Sequence, residues 1–160
     1  MSFATTDLSD AHPDAPVCAP IFRDFGGKTA FHGQIKTIKV FEDNALVRAT
    51  LETPGNGRVL VVDGGGSDRC ALVGGNLGVL GVNNGWAGIV VYGYVRDSAE
   101  LAAQAIGVKA LGVHPKKSEK GLHSAVADKT VSFAGVHFVS DHWLYADVDG
   151  VMVSDKALHG

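Results

Sequence analysis

Apolar and polar positions along the chain follow two different periods, which predicts a protein of mixed helices and strands. Two apolar runs, residues 58–62 and residues 87–95, are joined by about twenty residues. That interval suits a strand, a crossover helix and a second, parallel strand. A third run over residues 107–113 follows a short helix near 99–105. We therefore predict an α/β fold with a parallel βαβ core.

The other predicted elements lie on either side of this core. Residues 5–11 read as a helix capped by Thr5 or Thr6, residues 32–40 as a strand and residues 43–52 as a helix. Residues 68–84 have helical spacing that Gly74-Gly75 interrupts, so we predict two helical pieces, the second beginning near Asn76. Residues 114–129 are predicted to be an exposed loop. The apolar segments 131–133, 136–139, 143–146 and 151–153 predict C-terminal antiparallel strands.

Length and composition limit what kind of protein this is. With 160 residues, 46% of them hydrophobic, the chain fits a single domain over residues 1–160. A net charge of −3 does not favour a nucleic-acid partner, and the basic cluster of Lys116, Lys117 and Lys120 is interpreted as a solvated loop. No apolar stretch approaches the roughly 20 residues of a membrane helix. The start of the chain lacks a signal-peptide pattern, so we expect a cytoplasmic protein with Cys18 and Cys70 reduced.

The dipeptide Arg96-Asp97 stands where the second apolar run opens into a loop. A guanidinium beside a carboxylate can hold a substrate carboxylate and a divalent cation in one pocket. Crossover connections place the carboxyl ends of parallel strands at one sheet edge. We therefore expect Arg96-Asp97 and the glycine loop at residues 63–66 to share a crevice, into which the helix start near Asn76 offers backbone N–H groups. Spacing alone leaves open a surface ion pair after a strand.

Other motifs are weaker indications of function. Residues 63–66 faintly resemble a nucleotide or methyl-donor loop, but Arg69 stands where a third glycine would fall. Ser67 is not in a nucleophile elbow. The seven histidines show no zinc-like helical pair and are interpreted as scattered surface residues. The alternation around Lys109 predicts an outward-facing lysine rather than a Schiff-base amine.

Several short motifs, in this order, carry a resemblance to a known family. They are Phe25-Gly26-Gly27, Phe41-Glu42-Asp43-Asn44, Val59-Leu60-Val61-Val62-Asp63-Gly64-Gly65-Gly66-Ser67, Asn84-Gly85-Trp86-Ala87-Gly88, Gly93-Tyr94-Val95-Arg96-Asp97 and Tyr145-Ala146-Asp147. Over nearly its full length the chain resembles the RraA-like proteins, which include 4-hydroxy-4-methyl-2-oxoglutarate aldolases and regulators of the endoribonuclease RNase E. The resemblance implies a swivelling β/β/α domain, assembled as a homotrimer with pockets between subunits.

The resemblance also implies roles for particular residues. Arg96 and Asp97 would bind the substrate carboxylate and a Mg²⁺ or Mn²⁺ ion, and backbone amides of the turn Gly74, Gly75, Asn76 and Leu77 would hold the pyruvoyl group. Aldolase-like members usually carry an acidic residue at the position of Gly75, and its absence would lower turnover by about 10² to 10⁴ if that group acts as an acid or base. RNase E regulators often lack the aspartate that this chain retains as Asp97.

Three functions follow from these residues. The leading hypothesis is a metal-dependent lyase that cleaves small 2-oxo acids, as 4-hydroxy-4-methyl-2-oxoglutarate aldolase or oxaloacetate decarboxylase, through a pyruvate enolate. In it, Arg96 and Asp97 are catalytic, Arg96 and residues 74–77 bind substrate, and Asp97 binds the metal. The alternative is a non-catalytic regulator that binds and inhibits RNase E. A third possibility is a pocket that binds a small carboxylate without turning it over.

Overall fold

The computed structural model describes residues 2–121 and 123–159, and the expectations for Met1, Leu122 and Gly160 lie outside the described residues. Four helices are present in the described part of the chain: α1 (Thr5–Ala11), α2 (Ala45–Leu51), α3 (Gly75–Asn83) and α4 (Ser98–Ala102). The strands there are β1 (Arg23–Asp24), β2 (Phe31–Lys39), β3 (Val59–Asp63), β4 (Ala71–Val73), β5 (Gly88–Tyr92), β6 (Tyr94–Val95), β7 (Gly107–Ala110), β8 (Gly112–Val113), β9 (Val126–Ala127), β10 (Val131–Phe133), β11 (Val136–Phe138), β12 (Trp143–Asp147) and β13 (Gly150–Ser154).

The main sheet has the strand order β1-β7-β5-β3-β2-β12-β13, and β9 pairs with β2. The neighbours β2, β3, β5 and β7 are parallel, which confirms the predicted βαβ core. The edge formed by β12 and β13 is antiparallel, as the C-terminal apolar segments predict. The fold is thus the predicted α/β class.

Strand β3 lies at the centre of the main sheet, and all five of its residues are buried. Leu60 and Val62 pack against a core cluster that includes Leu51 of α2, whereas Val59 and Val61 face a second cluster that contains residues of the β10-β11 hairpin. A strand covered on both faces reads as a continuous apolar run, which explains the sequence of this segment.

A second, smaller parallel sheet, β4-β6-β8, lies beside the main one. Its strands follow β3, β5 and β7 in the chain, so the apolar runs 87–95 and 107–113 are each two strands rather than one. The first of the two helical pieces predicted in residues 68–84 is wrong, because Ala71, Leu72 and Val73 are buried and form strand β4. The second piece is confirmed as α3. The small sheet positions the candidate site.

Three local predictions also need correction. Helix α1 begins where predicted but has no side-chain cap; Thr5 instead donates its hydroxyl and its backbone N–H to Asp147. The predicted loop 114–129 contains strand β9. His32 is half-buried rather than a surface residue, because its ring stacks on Tyr145 with centroids 5.7 Å apart. No helix in residues 2–121 and 123–159 is long and apolar enough to cross a membrane.

Candidate functional site

A cavity of about 470 Å³ lies at the carboxyl end of the small sheet. It is bounded by the segments that follow β4, β6 and β8, and by one turn of α2. Its lining comprises Asn44, Arg48, Ala71, Val73, Gly74, Asn76, Leu77, Arg96, Asp97, Lys117, Ser118, Glu119 and Lys120. A volume of this size is typical of small-molecule sites. The predicted site residues thus line one cavity, except Gly75, which lies in the chain between the lining residues Gly74 and Asn76.

Asp97 has a backbone conformation that fixes its carboxylate toward the start of α3. Its φ of 58° and ψ of 44° lie in the left-handed region, which aspartate tolerates better than most residues. The carboxylate atom Oδ2 accepts the backbone N–H of Gly75 at 2.9 Å. A strained backbone persists only where the surrounding structure fixes it, and such residues cluster at functional sites.

Arg96 is half-buried beside Asp97. Its backbone N–H donates to the carbonyl of Val73 at 2.9 Å, and Nη1 lies 3.5 Å from the carbonyl of Pro115. These contacts leave most guanidinium donors available to an anion in the cavity.

The start of α3 presents backbone donors to the same space. Gly75 N–H is taken by Asp97, and the N–H groups of Asn76 and Leu77 have no partner among the described residues. Unpaired N–H groups at a helix start bind anions. Gly74 allows the close approach of the two segments, because a Cβ there would lie 2.8 Å from Asp97 Oδ2.

Gly75 faces helix α4 rather than open space. A Cβ built on it would overlap Oε2 of Glu100, the end of an exposed side chain, and would lie 3.3 Å from the Cβ of Glu100. The carboxylate of Glu100 thus occupies the volume that a side chain at position 75 would need. Gln104, one turn further along, donates Nε2 to the carbonyl of Gly75 at 3.0 Å.

The segment after β8 forms the outer wall of the cavity. Ser118 is buried and its Oγ accepts the N–H of Asn44 at 3.2 Å, while the buried carboxylate of Asp43 accepts the N–H of Gly121 at 2.6 Å. Lys117 and Lys120 line the cavity with exposed side chains, which is compatible with the predicted solvated loop. The sequence around these lysines gives no signal for the contacts of their segment with the start of α2.

The glycine loop at residues 63–66 does not line this cavity, contrary to the expected shared crevice. The N–H groups of Gly64 and Gly66 both donate to the carbonyl of Tyr92 at 3.1 Å, and Gly65 donates to the side chain of Asp63. These donors are used within the protein rather than offered to a phosphate. The loop connects the main sheet to the small sheet.

Lys109 is buried, contrary to the outward orientation predicted. Its Nζ donates to the carbonyl of Asp147 at 2.7 Å and lies 3.1 Å from Asp24 Oδ1. Lys109 lies outside the lining of the cavity, and both of its contacts join parts of the fold. Its role is therefore structural.

Perturbed ionisable groups lie away from the cavity lining. Hydrogen bonds from Arg69 and Ser67 hold the pKa of Glu42 below its usual value. Burial lowers the pKa of His32 and raises the pKa of the Cys18 thiol to about 12. Burial opposes ionisation of Asp147, but hydrogen bonds from Thr5 and from the backbone of Asp149 and Gly150 outweigh it and lower the pKa of that carboxyl. Both cysteines are free and buried.

Comparison with known proteins agrees with the motifs. A family model described as "RraA-like: Aldolase/RraA" matches residues 5–153. The chain belongs to the RraA-like family. A relative from Alkalilimnicola ehrlichii, provisionally named 4-hydroxy-4-methyl-2-oxoglutarate aldolase, is 59% identical over 160 residues, which are 99% of this chain and 98% of the relative.

Two solved structures superpose closely on this chain. The RNA-processing inhibitor RraA of Thermus thermophilus has a TM-score of 0.95 and 46% identity, covering 100% of this chain and 97% of its own. A Geobacillus kaustophilus protein named as an S-adenosylmethionine:2-dimethylmenaquinone methyltransferase has a TM-score of 0.94 and 46% identity, with 98% and 97% covered. The predicted fold and family are thereby confirmed.

Proposed function

We propose that this protein is a metal-dependent lyase that cleaves small 2-oxo acids, as a 4-hydroxy-4-methyl-2-oxoglutarate aldolase and oxaloacetate decarboxylase. The observation that carries the proposal is the convergence of Arg96, Asp97 and the start of α3 on one cavity. The name of the Alkalilimnicola relative, at 59% identity, supports the same activity.

Different groups of this chain bind different parts of the substrate. Arg96 binds a substrate carboxylate, because its guanidinium matches two carboxylate oxygens and has few other partners. The N–H groups of Asn76 and Leu77 bind the pyruvoyl end at the start of α3. Cleavage leaves negative charge on the oxygen of the 2-oxo group, and preorganised donors that meet this charge lower the barrier.

The donor set fits a Mg²⁺ or Mn²⁺ ion. Asp97 Oδ2 is used by Gly75, whereas Oδ1 has no partner among the described residues. No group of three His, Cys, Asp or Glu residues in that part of the chain could hold a metal alone. Mg²⁺ commonly keeps several waters and takes further oxygens from its substrate, so a single carboxylate is compatible with it. When bound, the cation would polarise the 2-oxo group as a Lewis acid.

The test is pyruvate release from oxaloacetate and from 4-hydroxy-4-methyl-2-oxoglutarate, measured with and without Mg²⁺. We expect activity that EDTA abolishes and that Arg96→Met lowers by about 100-fold or more. Arg58→Met is the matched control, since Arg58 lies outside this cavity. Release that survives EDTA would remove the metal-dependent mechanism.

The regulator of RNase E stays the second candidate. Its support is the name of the Thermus relative, an RNA-processing inhibitor that this chain matches over its full length. Retention of purified RNase E by this protein at physiological salt, without any pyruvate release, would favour the regulator.

We further propose that the protein is a cytoplasmic homotrimer. Val79 and Val82 on α3 and Val113 at the end of β8 are exposed apolar residues that an interface would cover. Light scattering coupled to size exclusion should give three times the chain mass of 16.6 kDa.

A further inference from the structure

The side chain of Gln104 connects the segment after α4 to the first residue of α3. Its Nε2 donates to the carbonyl of Gly75 at 3.0 Å, and the residue is half-buried. This contact fixes which way the side-chain amide faces, because a carbonyl can only accept a hydrogen bond. The other amide atom, Oε1, lies against Gly78 of α3, where a Cβ would overlap it. The glutamine side chain thus fills the space between the two helices.

The amide oxygen of Gln104 gains nothing from this location. Oε1 is buried and has no hydrogen-bond partner within residues 2–121 and 123–159. A buried amide oxygen without a partner lowers stability, which offsets what the hydrogen bond of Nε2 contributes. A methionine of similar length would fill the same space without an unpaired polar atom. Stability alone therefore gives no reason for a glutamine at this position.

The backbone of Gln104 is fixed on its other side. Its carbonyl accepts the N–H groups of Gly27 and Ile106, each at 2.9 Å, and its own N–H donates to the carbonyl of Leu101 at 3.1 Å. A Cβ on Gly27 would overlap the carbonyl oxygen of Gln104, so a glycine is required for this close approach. Gln104 therefore reaches Gly75 from a fixed point in the fold.

The carbonyl of Gly75 belongs to the same peptide group as the N–H of Asn76. A trans peptide group is planar and its C=O and N–H point in opposite directions, so a hydrogen bond to the oxygen also fixes the direction of the N–H. That N–H has no partner in the described part of the chain, and Asn76 lines the cavity. A hydrogen bond accepted by the oxygen also polarises the peptide group, which makes its N–H a stronger donor.

We propose that Gln104 is a positioning residue that aligns the N–H of Asn76 with the oxygen of the substrate's 2-oxo group. This inference rests on the proposed lyase function, in which that oxygen gains negative charge as the enolate forms. Asp97 holds the preceding peptide group in a similar way, because its Oδ2 accepts the N–H of Gly75 at 2.9 Å. The two side chains thus fix the peptide groups on both sides of Gly75. A donor aligned beforehand needs no reorganisation when the charge develops.

The kinetic test is Gln104→Met, which keeps the length of the side chain and removes the donor. Because the charge on the 2-oxo oxygen develops only during cleavage, we expect kcat for oxaloacetate to fall at least about 10-fold and KM to stay within about twofold. Tm should change by less than about 4 °C, since methionine also removes the unpaired Oε1. A variant that keeps the wild-type kcat per folded molecule would show a purely structural role and overturn the proposal.

Gln34→Met is the matched control for this substitution. The Nε2 of Gln34 also donates to a backbone carbonyl, that of Asp141 at 3.1 Å, but Gln34 lies outside the lining of the cavity. We expect its kcat and KM to equal those of the wild type. An equal fall of kcat in both variants would mean that the loss at Gln104 is not specific, and would also overturn the proposal.

A binding measurement separates this inference from the lyase proposal. Calorimetry with oxalate and with pyruvate, each in the presence of Mg²⁺, needs no turnover. Oxalate resembles the enolate because it carries negative charge at the corresponding oxygen, whereas pyruvate carries a neutral 2-oxo group there. We expect Gln104→Met to weaken oxalate binding about 10-fold and pyruvate binding by no more than about twofold. That difference supports the positioning role even if the wild type releases no pyruvate from any substrate. Equal losses for the two acids, or no loss for either, would refute the positioning role and leave the lyase proposal standing on its own assay.

Discussion

Asp97 offers a perturbation in which stability and chemistry can be separated. The residue does two things: it tolerates a left-handed backbone at φ 58°, and its carboxylate accepts the Gly75 N–H at 2.9 Å. Asparagine preserves both, because it also adopts this conformation readily and has an amide oxygen. It lacks the charge that a divalent cation requires. Alanine loses all three properties.

The magnitudes follow from these contacts. Asp97→Asn should change the free energy of unfolding by less than about 1 kcal/mol. Asp97→Ala adds about 1 kcal/mol for the left-handed backbone and about 1 kcal/mol for the lost hydrogen bond. For a chain of this length, that total lowers Tm by about 4–8 °C. Both variants should lose at least about 100-fold in Mg²⁺-dependent pyruvate release, since each lacks the carboxylate.

The assay couples pyruvate release from oxaloacetate to lactate dehydrogenase, and Tm is measured at the same protein concentration because assembly affects it. The expected pattern is an asparagine variant that is folded like the wild type but inactive. If Asp97→Asn keeps more than half of the activity, the carboxylate does not hold the cation and the reasoning fails.

Three further perturbations test the surrounding structure. Gly75→Asp should lower stability by about 0.5 kcal/mol, because the exposed carboxylate of Glu100 must turn away from the new side chain and then lies near a second negative charge. Glu100→Ala in the same chain should recover that loss, and an equal loss with and without Glu100, measured by thermal unfolding, would contradict this contact. Lys109→Met should cost about 2–3 kcal/mol by urea unfolding, since Asp24 and the Asp147 carbonyl lose their partner, while kcat per folded molecule stays unchanged; a large change in kcat would give Lys109 a role in the site. The pKa of Asp147 is lower in the folded than in the unfolded protein, so its contribution to stability is complete above the unfolded pKa of about 3.9 and is lost as pH falls through the folded pKa. The difference in unfolding free energy between wild type and Thr5→Ala should therefore be constant from pH 5 to 7 and shrink below about pH 4. A difference that grows on acidification would contradict this linkage.

Periodicity predicted the central strands β3, β5 and β7 of the main sheet because they are covered on both faces and form largely apolar runs. The same periodicity missed the small sheet. A run such as residues 87–95 stays apolar whether it is one strand or two strands that enter different sheets at Gly93. That break moves Arg96-Asp97 away from the glycine loop at 63–66 and toward the start of α3. The sequence therefore predicted that the dipeptide shares a cavity with the start of α3, but it wrongly placed the glycine loop there as well.

Long-range partners explain what the sequence missed at several lysines. Lys109 reads as solvent-exposed because its partners, Asp24 and the carbonyl of Asp147, are distant in sequence. Lys117 and Lys120 are exposed as predicted, but the anchoring of their segment was not predictable, because Asp43 and Asn44 precede it by more than seventy residues. Local sequence shows that a charge is present, whereas its burial and direction depend on contacts that close only in the folded chain.

Glycine at position 75 matters differently for the two proposed reactions, because both need stabilisation of an enolate but only the aldol cleavage needs a proton acceptor. Decarboxylation of oxaloacetate releases carbon dioxide and needs stabilisation of the developing enolate, which Arg96, Asp97 and the start of α3 can provide without a proton acceptor. Cleavage of a 4-hydroxy-2-oxo acid must also remove the hydroxyl proton as the carbon–carbon bond breaks. The carboxylate of Glu100 lies in the volume that a side chain at position 75 would occupy, on the α4 side of that residue, whereas Glu119 lines the cavity itself. If an acid at position 75 accepts this proton in relatives, as the resemblance implies, glycine there should slow the aldol reaction more than the decarboxylation, because the enolate-stabilising groups stay intact.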